Sequence, residues 1–89
     1  MKLTREEVYK LIDGERAYQD KRWNRDTTSS EGIHTPQEWL TYIVDYAQEA
    51  LHIGAREPDN ICKLKQMDIV RKIGGMAVAA MEQNGSNSR

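Results

Sequence analysis

An all-α fold, three or four helices in a bundle, is predicted for this chain by three observations. Apolar residues recur at three- and four-residue spacing in three separate stretches. Capping boxes introduce the first two of them, and nowhere do apolar and polar residues alternate as in a half-buried strand. With 89 residues, 38% hydrophobic and no phenylalanine, the chain has little material for a core of its own. Oligomerisation is the expected way to bury more. Residues 1–84 form a single domain in this reading, and 85–89 a flexible tail.

The first helix starts at Thr4, where Glu7 three residues later completes a capping box. Val8, Leu11, Ile12 and Tyr18 give it an apolar edge, and the pattern runs to Trp23. Gly14, in its middle, costs about 1 kcal/mol relative to alanine. It marks either a close helix contact or a break between two helices. Residues 24–34 are polar and small, without periodicity. A connection of that length in so small a domain is of the kind that is mobile or functional.

The second helix runs from Thr35 to Gly54. Thr35 is the N-cap, Pro36 fits the first helical position where its missing N–H costs nothing, and Glu38 completes the second capping box. Gly54 is the expected stop. Trp39, Leu40, Ile43, Val44, Ala47, Ala50, Leu51 and Ile53 make an apolar arc wider than one stripe, the mark of a helix with more than one neighbour. Glu38, Tyr42, Asp45, Glu49 and His52 share the polar side.

Pro58 disfavours helix at Glu57, and Asp59 or Asn60 can cap a third helix from Ile61 to Gln83. Leu64, Met67, Val70, Ile73, Ala77, Ala80 and Met81 recur along it at helical spacing. Its second half, GGMAVAAM, is nearly free of large side chains except methionine. Small residues let backbones approach, so this segment is read as the centre of a bundle or a dimer seam. Gly85 is the C-terminal stop.

Composition narrows the function classes. A formal net charge of −1 gives no reason to expect nucleic-acid or anionic-membrane binding. The single Cys62 excludes an intrachain disulfide and a cysteine zinc site. No apolar run approaches 20 residues and no signal peptide is visible, so the expected compartment is the cytoplasm.

Two clusters carry candidate chemistry. Asp45, Glu49 and His52 on one helix face could hold Mg²⁺, which favours oxygen ligands and keeps waters and phosphates around it. A third carboxylate would be needed, and Asp68, between Met67 and Ile69, is the candidate donor. Against this, acidic residues at helical spacing are common on solvated faces. Lys65 and Lys72 share a face with Asp68 and could pair with Asp45 and Glu49 as a structural network. The second cluster is Arg16, Gln19, Arg22 and Trp23. A guanidinium suits phosphate, an amide can read a base edge, and an indole can stack on a base. The competing reading makes Gln19 and Arg22 surface residues and Trp23 a core anchor.

The order of these residues resembles a known family. Glu15, Arg16, Gln19, Asp20, Arg22 and Trp23, then a polar loop ending in His34, then Trp39, Leu40 and Glu49, then the run Ala77 to Glu82, is similar to the small MazG-like proteins common in phage and bacterial genomes. The resemblance covers residues 15–84. It implies an all-α nucleoside triphosphate pyrophosphohydrolase fold, completed as a dimer or tetramer, which releases a nucleoside monophosphate and pyrophosphate. In that family carboxylates in an EExxE and an ExxD motif hold Mg²⁺, with Mn²⁺ as a substitute. Here Asp45 matches the first acid in charge, Tyr46 replaces the second, and Glu49 matches the third. Lys65 stands where ExxD has its glutamate, and Asp68 matches the aspartate. A phenol is a poor Mg²⁺ ligand, and an ammonium repels the ion.

The resemblance therefore implies one of two roles. In the first, Asp45 and Glu49 are catalytic metal ligands with Asp68, while Arg16, Gln19, Arg22, Trp23, Lys65 and Lys72 contact a nucleotide or another phosphate-bearing small molecule. In the second, turnover is lost and the scaffold binds or sequesters a nucleotide signal or a protein partner. Lys65 and Lys72 would then meet phosphate directly.

Overall fold

A computed structural model of the chain describes residues 2–22, 33–56 and 60–89. Among them are three helices, α1 (Arg5–Arg22), α2 (Pro36–Arg56) and α3 (Asn60–Asn84), and no strand. The helices pack as a small all-α bundle in which α3 is central. Among the described residues α1 and α2 each pack on α3 and not on each other.

Both capping boxes form. Thr4 N–H donates to Glu7 Oε1 at 3.0 Å, and Glu7 N–H donates to Thr4 Oγ1 at 3.1 Å. Thr35 and Glu38 repeat the arrangement at 2.9 and 3.1 Å, immediately before Pro36 opens α2. These boxes satisfy N–H groups that the first helical turn leaves without an intrahelical partner. The N–H groups of Thr4 and Thr35 hold the Glu7 and Glu38 carboxyls below the usual carboxylate range.

The glycines divide by role. α1 is continuous through Gly14, and a Cβ there would meet nothing within 4 Å, so Gly14 is neither a break nor a close contact. Gly54 does not stop α2, which continues to Arg56. Its missing side chain instead leaves room for Gln66, whose Nε2 donates to the Ala50 carbonyl at 3.1 Å. Gly85 does end α3. It adopts φ +78°, which only glycine tolerates freely, and its N–H closes back on the Met81 carbonyl at 2.8 Å.

The core sits where α2 lies against the second half of α3. Trp39, Met76 and Ala79 are buried together, with Ile43, Tyr46, Ile73 and Ala80 packed around them. The small residues of α3 thus lie at the bundle centre. α1 crosses α3 at Gly74 and Gly75, where the Ile12 and Gln19 side chains occupy the space a Cβ would take. The start of α2 is fastened to the end of α3. Gln83 Oε1 accepts both the His34 N–H at 3.0 Å and the Trp39 Nε1–H at 2.9 Å, and Asn84 Nδ2 donates to the His34 carbonyl at 3.1 Å. The His34 ring stands edge-on to Trp39 and Tyr42, with centroids 5.3 and 5.4 Å away.

Only part of the apolar arc of α2 is covered. Leu40, Val44 and Leu51 lie on the flank turned away from the core, and Leu51 remains 71% exposed. No helix among the described residues is long and apolar enough to cross a membrane. Trp23, most of the 24–34 connection and the turn at Glu57, Pro58 and Asp59 lie outside the described residues.

Candidate functional site

The site begins with the spacing on α1. Ile12, Glu15 and Gln19, three and four residues apart, fall on one face, and that face is pressed against α3. Gln19 is therefore buried, at 2% exposure, instead of lying on the surface as its polarity suggests. Glu15 beside it is 8% exposed.

Buried polar groups need partners, and most of these have them. Glu15 Oε1 accepts from Arg71 Nε at 2.9 Å, and Oε2 accepts from Gln19 Nε2 at 3.2 Å. Arg71 also donates through Nη1 to Asp68 Oδ1 at 2.9 Å. The hydrogen bond to Glu15 raises the Arg71 guanidinium above its ordinary value, outweighing burial, with Asp68 adding to the effect. Gln19 Nε2 uses its second hydrogen on the Lys72 carbonyl at 3.1 Å. Gln19 Oε1 accepts no hydrogen bond from the described residues.

Gln19 is also one of the residues that line a cleft of about 240 Å³ between the helices. α1 contributes Glu15, Tyr18, Gln19 and Arg22, α2 contributes Tyr46, and α3 contributes Lys72 and Met76. Of the residues singled out as ligand contacts, Gln19, Arg22 and Lys72 come together here. Arg16 is engaged elsewhere: its Nε donates to Glu82 at 2.7 Å and its Nη2 to Asp20 at 2.8 Å, tying α1 to the end of α3. Burial pushes that guanidinium down, but the bonds to Glu82 and Asp20 more than offset it and the net shift is upward. Lys65 is exposed on α3 and does not line the cleft.

The three carboxylates considered for metal do not converge within one copy. Gln66 faces α2, as its bond to Ala50 shows. Asp68, two residues on, points about 200° around the helix from it, toward α1, and is held by Arg71. Asp45 and Glu49 lie exposed on α2 and form no ion pair with described residues, so the structural network with Lys65 and Lys72 is also absent among them. Among the described residues no three His, Cys, Asp or Glu side chains gather as a metal site. A Mg²⁺ site built from Asp45, Glu49 and Asp68 does not fit this arrangement.

Sequence reasoning passed over Tyr18 and Met76 as site residues, gave Tyr46 weight only as a lost ligand, and left Glu15 without a role. One signal could have found Glu15: it falls between Ile12 and Gln19 on the apolar register of α1, where a carboxylate must be buried and paired. Comparison of the chain with family models, with curated proteins and with solved structures gives no match.

Proposed function

We propose that this protein binds a nucleotide, or a related phosphate-bearing small molecule, in the cleft between α1, α2 and α3. The observation that carries the reading is a cleft of about 240 Å³ to which all three helices bring polar side chains. Lys72 and Arg22 add positive charge suited to a phosphate. Tyr18 and Tyr46 offer aromatic surface suited to a base. At about 240 Å³ the cleft lies below the roughly 300–1,000 Å³ of drug-sized pockets. It suits a base or nucleoside portion, with phosphates at the rim. The resemblance to small MazG-like proteins points to the same ligand class.

Binding without turnover is the form of this reading we favour, as in a scaffold that sequesters a nucleotide. Mg²⁺-dependent release of pyrophosphate needs a carboxylate set, and Asp68 is committed to Arg71 on the side away from Asp45 and Glu49. The test is calorimetry and thermal denaturation with nucleoside mono-, di- and triphosphates, beside a pyrophosphate-release assay with Mg²⁺ or Mn²⁺ and an EDTA control. A bound nucleotide at 100 times its dissociation constant should add about 2.7 kcal/mol of stability. Lys72→Ala and Arg22→Ala should weaken binding, while Asp45→Ala and Glu49→Ala should leave it intact. If no nucleotide shifts the transition, the reading fails; metal-dependent pyrophosphate release lost in Glu49→Ala would replace it with the hydrolase.

We also propose that the uncovered flank of α2 packs against a second copy of this chain. Three large apolar side chains on one side of α2 are each more than half exposed. Leu40, Val44 and Leu51 form the apolar part of that flank. Sedimentation equilibrium should give a dimer or larger species that dissociates in Val44→Glu/Leu51→Glu. A monomer at tens of micromolar wild type would rule the interface out.

A further inference from the structure

Resting on the reading that α2 packs against a second copy, we infer that the two copies pair antiparallel about a two-fold axis, α2 on α2 and α3 on α3. The face that pairs is the one turned away from the cleft. On α2 it is the stripe Leu40, Val44, Ala47 and Leu51, about 100–160° round the helix from Tyr46, which lines the cleft. On α3 it is Met67, Val70, Gly74 and Ala77, about 140–160° round from Lys72, which lines the cleft too. Leu40, Val44, Leu51, Met67 and Val70 are exposed, and Ile12 fills the gap at Gly74. Neither stripe carries a charge, and the acidic residues of α2, Glu38, Asp45 and Glu49, stand on another side of that helix. A surface of this kind meets its own copy without like-charge repulsion and offers nothing to a charged partner.

Spacing decides the orientation. Leu40, Val44, Ala47 and Leu51 follow one another by four, three and four residues, an order that reads the same in both directions. In a contact about a two-fold axis, residue i meets residue j while j meets i. A second α2, turned end for end about the point between Val44 and Ala47, therefore sets Leu40 against Leu51 of the other copy and Val44 against Ala47. Met67, Val70, Gly74 and Ala77 follow by three, four and three residues, which also reads the same both ways. Turned about the point between Val70 and Gly74, Met67 meets Ala77 of the other copy, large against small.

One axis serves both stripes only if their centres stand level in the bundle, and they do. α2 and α3 run antiparallel, with the Ala50 carbonyl bonded to Gln66 and Trp39 buried with Met76 and Ala79. Between those contacts, the point midway from Val44 to Ala47 falls level with Arg71 and Lys72. That is the centre of the α3 stripe. The two clefts then open on the outer sides of the pair, away from the seam.

The test is sedimentation equilibrium of the wild-type chain, with isotope-filtered NOE spectroscopy on a mixture of labelled and unlabelled protein. Within one chain Leu40 and Leu51 are about 16 Å apart along the helix, and Met67 and Ala77 about 15 Å. Neither pair can give an NOE inside one copy. A dimer with Leu40 to Leu51 and Met67 to Ala77 contacts is the expected result, and Val70→Glu should raise its dissociation constant about tenfold or more. Contacts of Leu40 with Leu40 and Leu51 with Leu51 mean parallel pairing and overturn the inference. So does a dimer joined through α2 alone, or one whose dissociation Val70→Glu leaves unchanged; in all three cases the second-copy reading stands. A monomer at tens of micromolar, or a dimer in which Leu40, Val44 and Leu51 make no contact, removes that reading and the inference together.

Discussion

The Gln19 amide lies on the backbone of Gly75, so that a Cβ at position 75 would stand 2.7 Å from both of its polar atoms. A side chain there must expel the amide, which takes with it the bonds to Glu15 and the Lys72 carbonyl. Gly75→Ala should therefore cost about 1–3 kcal/mol despite the better helix propensity of alanine. Gly14→Ala, where a Cβ meets open space in an unbroken helix, should instead gain up to about 1 kcal/mol. Urea denaturation of the two variants reads both signs. Opposite signs are required.

Arg71 is the cation paired with the buried Glu15 side chain, Nε to Oε1 at 2.9 Å. Arg71→Met should cost about 1–3 kcal/mol, because it leaves a buried carboxylate with one partner fewer. Adding Glu15→Gln should return part of that loss, since the uncompensated charge is then gone. A double-mutant cycle by chemical denaturation measures the coupling. Additive losses would show that the pair is not a unit.

Gln83 fastens the start of α2 to the end of α3 by accepting from His34 and Trp39 with one oxygen. Gln83→Ala should leave the Trp39 indole N–H without this acceptor in a buried site, at a cost of about 1–3 kcal/mol. Gln83→Glu keeps an oxygen in place and should retain most of the stability. The Trp39 indole resonance and the melting temperature follow the two variants. Equal losses in both would place the role of Gln83 elsewhere.

Acid sensitivity should begin at the helix starts. The N–H groups of Thr4 and Thr35 depress the Glu7 and Glu38 carboxyls in the folded chain. A depressed folded pKa means the contribution is present above the unfolded carboxylate value, about 4.3. It is lost as pH falls through the lower folded value. Glu7→Gln/Glu38→Gln keeps a side-chain acceptor for each box without a titration. Its denaturation midpoint between pH 3 and 7 should fall less steeply on the acid side than that of the wild type. Identical acid limbs would remove the boxes from the acid response.

The helices were legible because their causes are local. Thr35, Pro36 and Glu38 act within one turn of the start of α2, and Gly85 acts within one turn of the end of α3. Gly14 and Gly54 were not legible, since a glycine signals a stop, a contact or nothing according to what approaches it. Only the position of Gln66 decides this for Gly54. The polar residues followed the same division. The polarity of Gln19 suggests a surface position, and an acidic stripe with Asp68 nearby invites a metal.

The amino-acid sequence by itself determined an all-α chain, the capping boxes that open α1 and α2 and the Gly85 stop of α3, all effects of neighbours within a few residues. The tertiary structure alone decided that α1 docks on Gly74 and Gly75, which buries Glu15 and Gln19 and ties the Gln19 amide to Glu15 and the Lys72 carbonyl. It also decided that Asp68 faces Arg71 instead of Asp45 and Glu49. Both follow from which face of each helix meets another, and periodicity can offer a face without naming its partner.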